Sequence, residues 1–360
     1  MDRYPLPHPV VLREILRQDK PSGPLTAMIH ITEHCNVRCE FCWHHSFLKT
    51  DSHHPQRMET STVINMVQEL ARMGTTDITL SANGEPTLHP GFPLIVETIK
   101  NAGMRLKVVT NLTLFSPTIA AALARTDLLI INLAVADNES YQSIYSPRGK
   151  IALSDVVKNI KTLANLQKHG GPQIKLGYVL TKNTYRHFEK LINLADECQA
   201  TSIRFKFMDP SSFTKSIVLD ADDRQWLLEE IKRVIQIPTL VTTNLQDILQ
   251  MLSAPTIENN ESKKDQERGR CFIGWIVMNI NENGTVTLCC QNDHLIIGDW
   301  KRKSLREIWE GEKAQEFRHS TKTKIDFDNP LFHACRGCHY SNPKNYSRRI
   351  NHEFGPLPKT

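Results

Sequence analysis

The sequence predicts an α/β protein built on a parallel sheet, followed by a small α+β region rich in cysteine. Three observations predict it. Short apolar runs alternate with longer helical stretches six times between residues 25 and 235, the pattern of serial strand–helix units. A charged stretch at 258–270 then interrupts the pattern. Beyond it, five of the nine cysteines fall between Cys271 and Cys338.

Strands are predicted over 27–31, 77–80, 106–109, 128–135, 174–180 and 202–207, and helices over 60–73, 93–101, 117–124, 154–168, 185–197 and 222–235. The second strand runs into Asn83-Gly84-Glu85-Pro86, which is turn chemistry. Gly103 closes the helix over 93–101. Several strands read as apolar on both faces, the habit of covered parallel strands. An open doubly wound sheet and a curved partial barrel share this periodicity, and both gather ligands at the C-terminal ends of their strands. In the last region, strands over 275–280 and 285–288 flank the hairpin-type turn Asn281-Glu282-Asn283-Gly284, and 304–309 reads as a short helix. The expected organisation is an extension over 1–24, a barrel or sheet domain over 25–235, a linker over 236–270, a cysteine-bearing domain over 271–346 and a tail over 347–360.

The 360 residues are 40% hydrophobic and 23% charged, ordinary for a globular protein. The net charge of +5 fits an anionic ligand or a solvated basic surface. Lys344, Arg348 and Arg349 form too short a cluster to argue for nucleic acid. No run has signal-peptide or membrane-spanning length, so a cytoplasmic protein is expected, where structural disulfides are rare. The cysteine placement is then metal arithmetic.

Cys35-x3-Cys39-x2-Cys42 puts three thiolates on the loop after the first strand. They can hold three irons of a 4Fe–4S cube and leave the fourth open. A zinc site completed by His34, His44 or His45 is the competing reading. Cys271, Cys289, Cys335 and Cys338 are enough for a closed site holding zinc or a cluster, with Cys290 spare. Cys198, on a helix, reads as a core residue. His44, His45, His53 and His54 are candidates for a substrate cavity or for plain surface.

The spacing of the first triplet, with Phe41 before its third cysteine, resembles the signature of the radical S-adenosylmethionine superfamily. Asn83-Gly84-Glu85-Pro86 resembles that family's Gly-Gly-Glu-Pro motif with Asn83 replacing a glycine, and Thr110-Asn111 its Thr-Asn-Gly with Leu112 replacing the glycine. The resemblance implies a partial (β/α)6 TIM-type barrel, a cluster that binds S-adenosylmethionine, and a 5′-deoxyadenosyl radical that takes hydrogen from a substrate C–H. It implies cofactor contacts at Phe41, Asn83, Gly84, Glu85, Thr110 and Asn111. Where relatives place a cofactor-binding serine, this chain has Ala134-Val135-Ala136-Asp137, which leaves Asn132 or Arg148 as substitutes. The last region, including Gly298-Asp299-Trp300 and 304–309, resembles the SPASM and twitch extensions that carry auxiliary 4Fe–4S clusters, and its cysteine spacing is similar to that of 2-deoxy-scyllo-inosamine dehydrogenases. A small sugar- or aminocyclitol-like substrate, oxidised with the auxiliary cluster as electron acceptor, is therefore the first expectation. A peptide is the second, weighed down by the shortness of 1–24 as a leader-binding segment. A flavodoxin- or ferredoxin-like electron donor is implied in both cases. A non-catalytic zinc-binding interaction protein is the reading of another class.

Overall fold

The computed structural model describes residues 21–50, 54–81, 83–167, 170–208, 210–253, 271–289 and 294–322, together with Ile325, Asn329, Phe332 and Cys335. Ten strands form one sheet: β1 (Thr26–His30), β2 (Asp77–Ser81), β3 (Arg105–Thr110), β4 (Leu128–Asn132), β5 (Gln173–Leu180), β6 (Ser202–Phe207), β7 (Thr242–Thr243), β8 (Val277–Ile280), β9 (Thr285–Thr287) and β10 (Ile296–Asp299). Their order is β10-β9-β8-β1-β2-β3-β4-β5-β6-β7. Every pair from β8–β1 to β6–β7 is parallel, and the β8–β9–β10 ribbon is antiparallel. A doubly wound sheet reverses its strand order partway. Here β1 to β7 run without reversal, so right-handed crossovers put the helices on one side and leave a partial barrel.

The helices are α1 (Thr60–Arg72), α2 (Phe92–Asn101), α3 (Pro117–Ala124), α4 (Asn138–Tyr145), α5 (Leu153–Ala164), α6 (Phe188–Glu197), α7 (Ala221–Val234), α8 (Leu245–Ser253), α9 (Leu305–Glu310) and α10 (Glu312–Lys322). Their apolar stripes cover one face of the strands. Ile29, Leu80, Val108, Ile131, Leu176 and Ile203 are fully buried there. The alternate positions carry Thr79, Lys107, Asn132, Lys175 and Arg204, since successive side chains point to opposite faces. The expectation of strands apolar on both faces holds for β4, with Leu128 and Ile130 on one side and Leu129 and Ile131 on the other, whereas the inner face of β3, β5 and β6 mixes apolar residues with Lys and Arg.

Three boundaries also differ. β4 stops at Asn132 rather than 135, because the Ala134 N–H is taken by the Tyr145 hydroxyl at 2.6 Å instead of by a strand. The helix predicted to reach 168 ends at Ala164. The stretch beginning at 236 adds β7 beside β6 and α8 against α7, so the barrel layer runs past 235. Helix α4 escaped the periodicity altogether; Asp137 caps it by accepting the Ser140 N–H at 2.8 Å.

The C-terminal unit is fused to the barrel through the β8–β1 pairing. Its α9 starts with a capping box: the Ser304 hydroxyl accepts the Glu307 N–H, and the Glu307 carboxylate accepts the Ser304 N–H. On α9, Trp309 is fully buried. Its Nε1 donates to the Pro21 carbonyl at 2.7 Å, and the Arg318 guanidinium lies 4.1 Å over its ring. At the other end of the unit, Asn83 Nδ2 donates to Glu282 Oε1 at 2.9 Å.

Burial pushes the Glu282 carboxyl up to about 7, with Glu33 adding to the shift. Two outcomes are expected. Trp309→Ala empties a filled aromatic site and lowers stability by about 3–5 kcal/mol, read by denaturant or thermal unfolding. A carboxyl raised in the fold gives stability that is complete below its ordinary value of 4.5 and is lost as pH rises through about 7. Glu282→Gln, which keeps the acceptor for Asn83, should flatten the decline of melting temperature between those two pH values.

Candidate functional site at the barrel mouth

The cysteine loop follows β1 at the C-terminal end of the strands. Its shape is imposed by four neighbours. The Arg38 and Glu40 N–H groups donate to the Tyr145 and Ile144 carbonyls at the end of α4, at 2.8 and 2.9 Å. Phe41 is buried and meets the Tyr145 ring edge-on at 5.8 Å, while Tyr145 stacks on Tyr141 at 5.0 Å. Phe41 thus packs the loop against α4. The Glu40 carboxylate, also buried, accepts from Thr181 Oγ1 at 2.8 Å and Asn183 Nδ2 at 2.7 Å, just beyond β5.

The third neighbour is the turn after β2, and the fourth is the end of β3 with Asn111. The Glu85 N–H donates to the His34 carbonyl at 2.7 Å. A Cβ on Gly84 would lie 2.2 Å from the same oxygen and 2.5 Å from the Glu33 carbonyl carbon. Only a residue without a side chain lets these backbones pass. The Glu85 carboxylate is 2% exposed. Its Oε1 accepts from the hydroxyls of Thr110 and Thr87, each at 2.7 Å, and its Oε2 from the Asn111 N–H at 2.7 Å. Burial raises its pKa, and these hydrogen bonds oppose the rise. Glu85 therefore ties the ends of β2 and β3 together.

Asn111 reaches from the end of β3 to the cysteine loop. Its Nδ2 is 3.0 Å from Asn36 Oδ1 and 4.0 Å from Cys35 Sγ. Asn36 Nδ2 in turn donates to Thr113 Oγ1 at 2.8 Å. Cys42 Sγ accepts the His45 N–H at 3.3 Å. Cys39 is buried, Cys35 and Cys42 half-buried. Burial pushes the Cys35 thiol up to about 12 and raises Cys39 and Cys42 as well. Left bare, these groups stay protonated; cationic iron is the partner that would make them thiolates. Among the described residues no three His, Cys, Asp or Glu side chains form a single-ion cage as they stand. Three thiols of one loop, with N–H groups directed at two of the sulfurs, could hold an iron–sulfur cluster.

The other sequence candidates are spread more widely. Asn132 is half-buried at the end of β4, next to Gly177 of β5. Arg148 is exposed, its N–H held by the Asn36 carbonyl at 2.8 Å. His34 Nδ1 sits 3.2 Å from Thr32 Oγ1. His44 and His54 are exposed, His45 is half-buried, and His53 lies outside the described residues. Cys198 is fully buried in the core. In the C-terminal unit Cys271 and Cys289 are buried and Cys335 half-buried, while Cys290 and Cys338 lie outside the described residues. A buried chain of hydrogen bonds leads there from β1: His30 Nε2 with Asn279 Oδ1 at 2.9 Å, Asn279 Nδ2 to Thr287 Oγ1 at 3.3 Å, and Thr287 Oγ1 to the Cys289 carbonyl at 2.9 Å. Sequence reasoning missed Glu40, Thr181, Asn183 and the tyrosine pair. A buried acid inside the cysteine motif was the one available signal.

The barrel matches the Radical SAM superfamily over residues 29–195, and the C-terminal unit matches the SPASM iron–sulfur cluster-binding domain over 271–339. The second match decides the zinc-or-cluster alternative for the C-terminal cysteines in favour of iron–sulfur. The mycofactocin maturase MftC of Mycobacterium tuberculosis is 24% identical over 313 residues, covering 81% of this chain and 74% of the relative. The tungsten-containing aldehyde ferredoxin oxidoreductase cofactor-modifying protein of Pyrococcus furiosus is 21% identical, covering 86% of each. Among solved structures, Streptococcus suis SuiB bound to S-adenosylmethionine superposes with a TM-score of 0.64 at 17% identity, over 95% of this chain and 78% of that one. The structure of anSMEcpe with bound AdoMet gives 0.60 at 18% identity, over 92% and 96%. The triplet held under Gly84, the two family matches and the shared fold make one statement: the chain belongs to the radical S-adenosylmethionine superfamily and carries a SPASM-type iron–sulfur domain.

Proposed function

We propose that this enzyme modifies a peptide or protein substrate, with Cys35, Cys39 and Cys42 holding the cluster that binds S-adenosylmethionine, and Cys271, Cys289, Cys335 and Cys338 serving an auxiliary cluster. When bound, the first cluster and S-adenosylmethionine supply one-electron cleavage of the cofactor and hydrogen abstraction from an unactivated C–H. The chain's own residues do the rest. Tyr145, Glu40 and Asn111 hold the cysteine loop in one shape. Gly84 brings the β2 turn against that loop, so the backbone of 83–85 is the surface offered to the cofactor's amino end. Asn83 follows β2 with its amide on Glu282, and Asn132 stands at the end of β4, two strands away. The Glu85 bracket keeps the Thr110–Asn111 turn fixed beside them.

The observation that carries the reading is the fusion of the two units. β8 pairs with β1 along its length, and the His30–Asn279–Thr287 chain ends on the Cys289 carbonyl. A redox centre in the C-terminal unit is thereby fixed rigidly to the strand that leads into Cys35. An auxiliary cluster so placed supports a net oxidation by accepting an electron from the substrate. The peptide class is supported by the relatives: SuiB was also solved with precursor peptide SuiA, anSMEcpe with the Cp18Cys peptide, and MftC is named a maturase. The first expectation, a sugar or aminocyclitol, drew on cysteine spacing, and the whole-chain similarities favour the peptide alternative over it.

Anaerobic reconstitution with iron and sulfide, followed by reduction, should give 5′-deoxyadenosine from S-adenosylmethionine, and Cys35→Ala should give none. With a peptide library present, some members should lose the mass of two hydrogens. Oxidation of aminocyclitols with the library untouched would return the small-molecule reading, and no 5′-deoxyadenosine above the Cys35→Ala level would end both. Gly84→Ala forces the two loops apart. It should cost about 1–3 kcal/mol in stability and deplete the cluster's visible absorbance more than it lowers the melting temperature of the metal-free protein.

A further inference from the structure

The C-terminal unit reaches the turn after β2 with the tip of its hairpin. Asn281-Glu282-Asn283-Gly284 joins β8 to β9, and its backbone is held at four points. The Gly284 N–H donates to the Asn281 carbonyl at 3.2 Å, and the Trp300 N–H to the Gly284 carbonyl at 2.9 Å. Trp300 Nε1 donates to the Asn281 carbonyl at 2.7 Å, and Lys301 Nζ to the Asn283 carbonyl at 2.8 Å. Asn283 is exposed, as a residue at a hairpin tip ordinarily is. Glu282 is the exception, at 3% exposed.

Stability does not account for that burial. Oε1 accepts from Asn83 Nδ2 at 2.9 Å, and Oε2 finds no donor among the described residues. Burial raises the carboxyl, and Glu33, a second acid beside it, adds to the rise. A buried carboxyl in such surroundings is less favourable than an apolar side chain of the same size. What the acid does, and an apolar residue would not, is hold Asn83.

Asn83 stands where that hold matters. Gly84, the next residue, is glycine because the Glu33 and His34 backbones pass so close, and glycine leaves the turn's own dihedrals free. On the C-terminal side the turn is pinned by the Glu85 N–H on the His34 carbonyl at 2.7 Å. On the N-terminal side the Asn83 amide on Glu282 is the pin. Between the two, the Asn83 and Gly84 carbonyls accept no hydrogen bond among the described residues, so their direction is set from the two ends of the turn.

We infer that Glu282 is a positioning residue for S-adenosylmethionine: acting from the C-terminal unit through the Asn83 amide, it fixes the direction of the Asn83 and Gly84 carbonyls that receive the cofactor's amino group. This rests on the reading that the 83–85 backbone meets the cofactor's amino end, and it is independent of the substrate. The two units then share one cofactor site. β9 leaves the same hairpin and leads toward Cys289, so the strand that serves the auxiliary cysteines and the turn that serves the cofactor are held by one element.

The experiment uses the reconstituted holoenzyme. With its clusters oxidised, equilibrium dialysis of radiolabelled S-adenosylmethionine gives a Kd without cleavage; after reduction, 5′-deoxyadenosine formation gives KM and kcat. Glu282→Met keeps the volume and removes the acceptor. It should melt at or above the wild-type temperature, since Asn83 is half-buried and its amide can turn to water. It should nevertheless raise Kd and KM for S-adenosylmethionine about tenfold, with kcat changed less than about twofold. Asn83→Ala should weaken binding equally, and the double variant no further. Glu282→Gln should bind as the wild type, because its Oε1 still accepts from Asn83 and its new amide faces Glu33. Arg302→Ala, an exposed change in the same unit, should also bind as the wild type.

A wild-type Kd in Glu282→Met with full iron and sulfide content overturns the inference. So does a loss in Glu282→Gln equal to that in Glu282→Met, which would assign the effect to charge, and so do additive losses in the double variant. A Glu282→Met protein that melts well below the wild type with KM unmoved would make the contact a structural latch and overturn it too. A wild type that binds no S-adenosylmethionine overturns the cofactor reading itself, and this inference with it.

Discussion

The site depends on one close approach. The turn after β2 lies against the chain between β1 and Cys35, with the Glu85 N–H on the His34 carbonyl at 2.7 Å and no room for a Cβ at Gly84. A loop bearing three thiols has no hydrophobic core of its own and would otherwise sample many shapes. The approach removes that freedom at the loop's N-terminal end, and α4 removes it at the middle through the Tyr145 and Ile144 carbonyls. A cluster held by three thiolates needs them preset, since any ordering deferred to cluster binding weakens that binding.

The buried acids follow from the same requirement. Glu40 and Glu85 are each 3% exposed or less, and a carboxylate so buried is tolerated only with its acceptors satisfied. Glu40 is satisfied from the turn after β5 and Glu85 from its own turn and the end of β3, so each converts the cost of burial into a link between segments that share no sequence neighbourhood. Removing one link would leave a buried charge without donors, which is worse than never having had it. The mouth of the barrel is thus held by polar contacts, and its rigidity comes from all of them being present together.

Much of this was legible in the chain before any coordinates. The strand–helix series, the triplet at Cys35, Cys39 and Cys42 and the turn at Asn83 to Pro86 follow from spacing and local chemistry. The charged positions on the inner face were not, because Thr79, Lys107 and Lys175 sit singly among Ile, Leu and Val and a short strand with one charge still reads as apolar. Helix α4 was hidden for a related reason: eight residues with polar Asn138, Glu139, Ser140, Gln142 and Ser143 give no helical stripe, although Tyr141 and Tyr145 are its buried pair. The bracket that Glu85 makes between β2 and β3 could not be read, since a motif gives the identity of an acid and not the three donors that occupy it.

The fusion of the two units also gives the sheet two unlike sides. With β8 bound to β1, the C-terminal unit closes one edge of the partial barrel, and the opposite edge ends at the two-residue β7. The strands β5 and β6, which carry Lys175, Arg204 and Lys206 at inner-face positions, lie next to that second edge. The sheet thus has a cysteine-bearing side, held by the parallel β8–β1 pairing, and a basic side at β5 and β6. The cysteine loop spans between them, because its Arg38 and Glu40 N–H groups are held by α4 and its Glu40 carboxylate by the turn after β5. A change on either side is therefore felt at the loop through hydrogen bonds rather than through a shared apolar core.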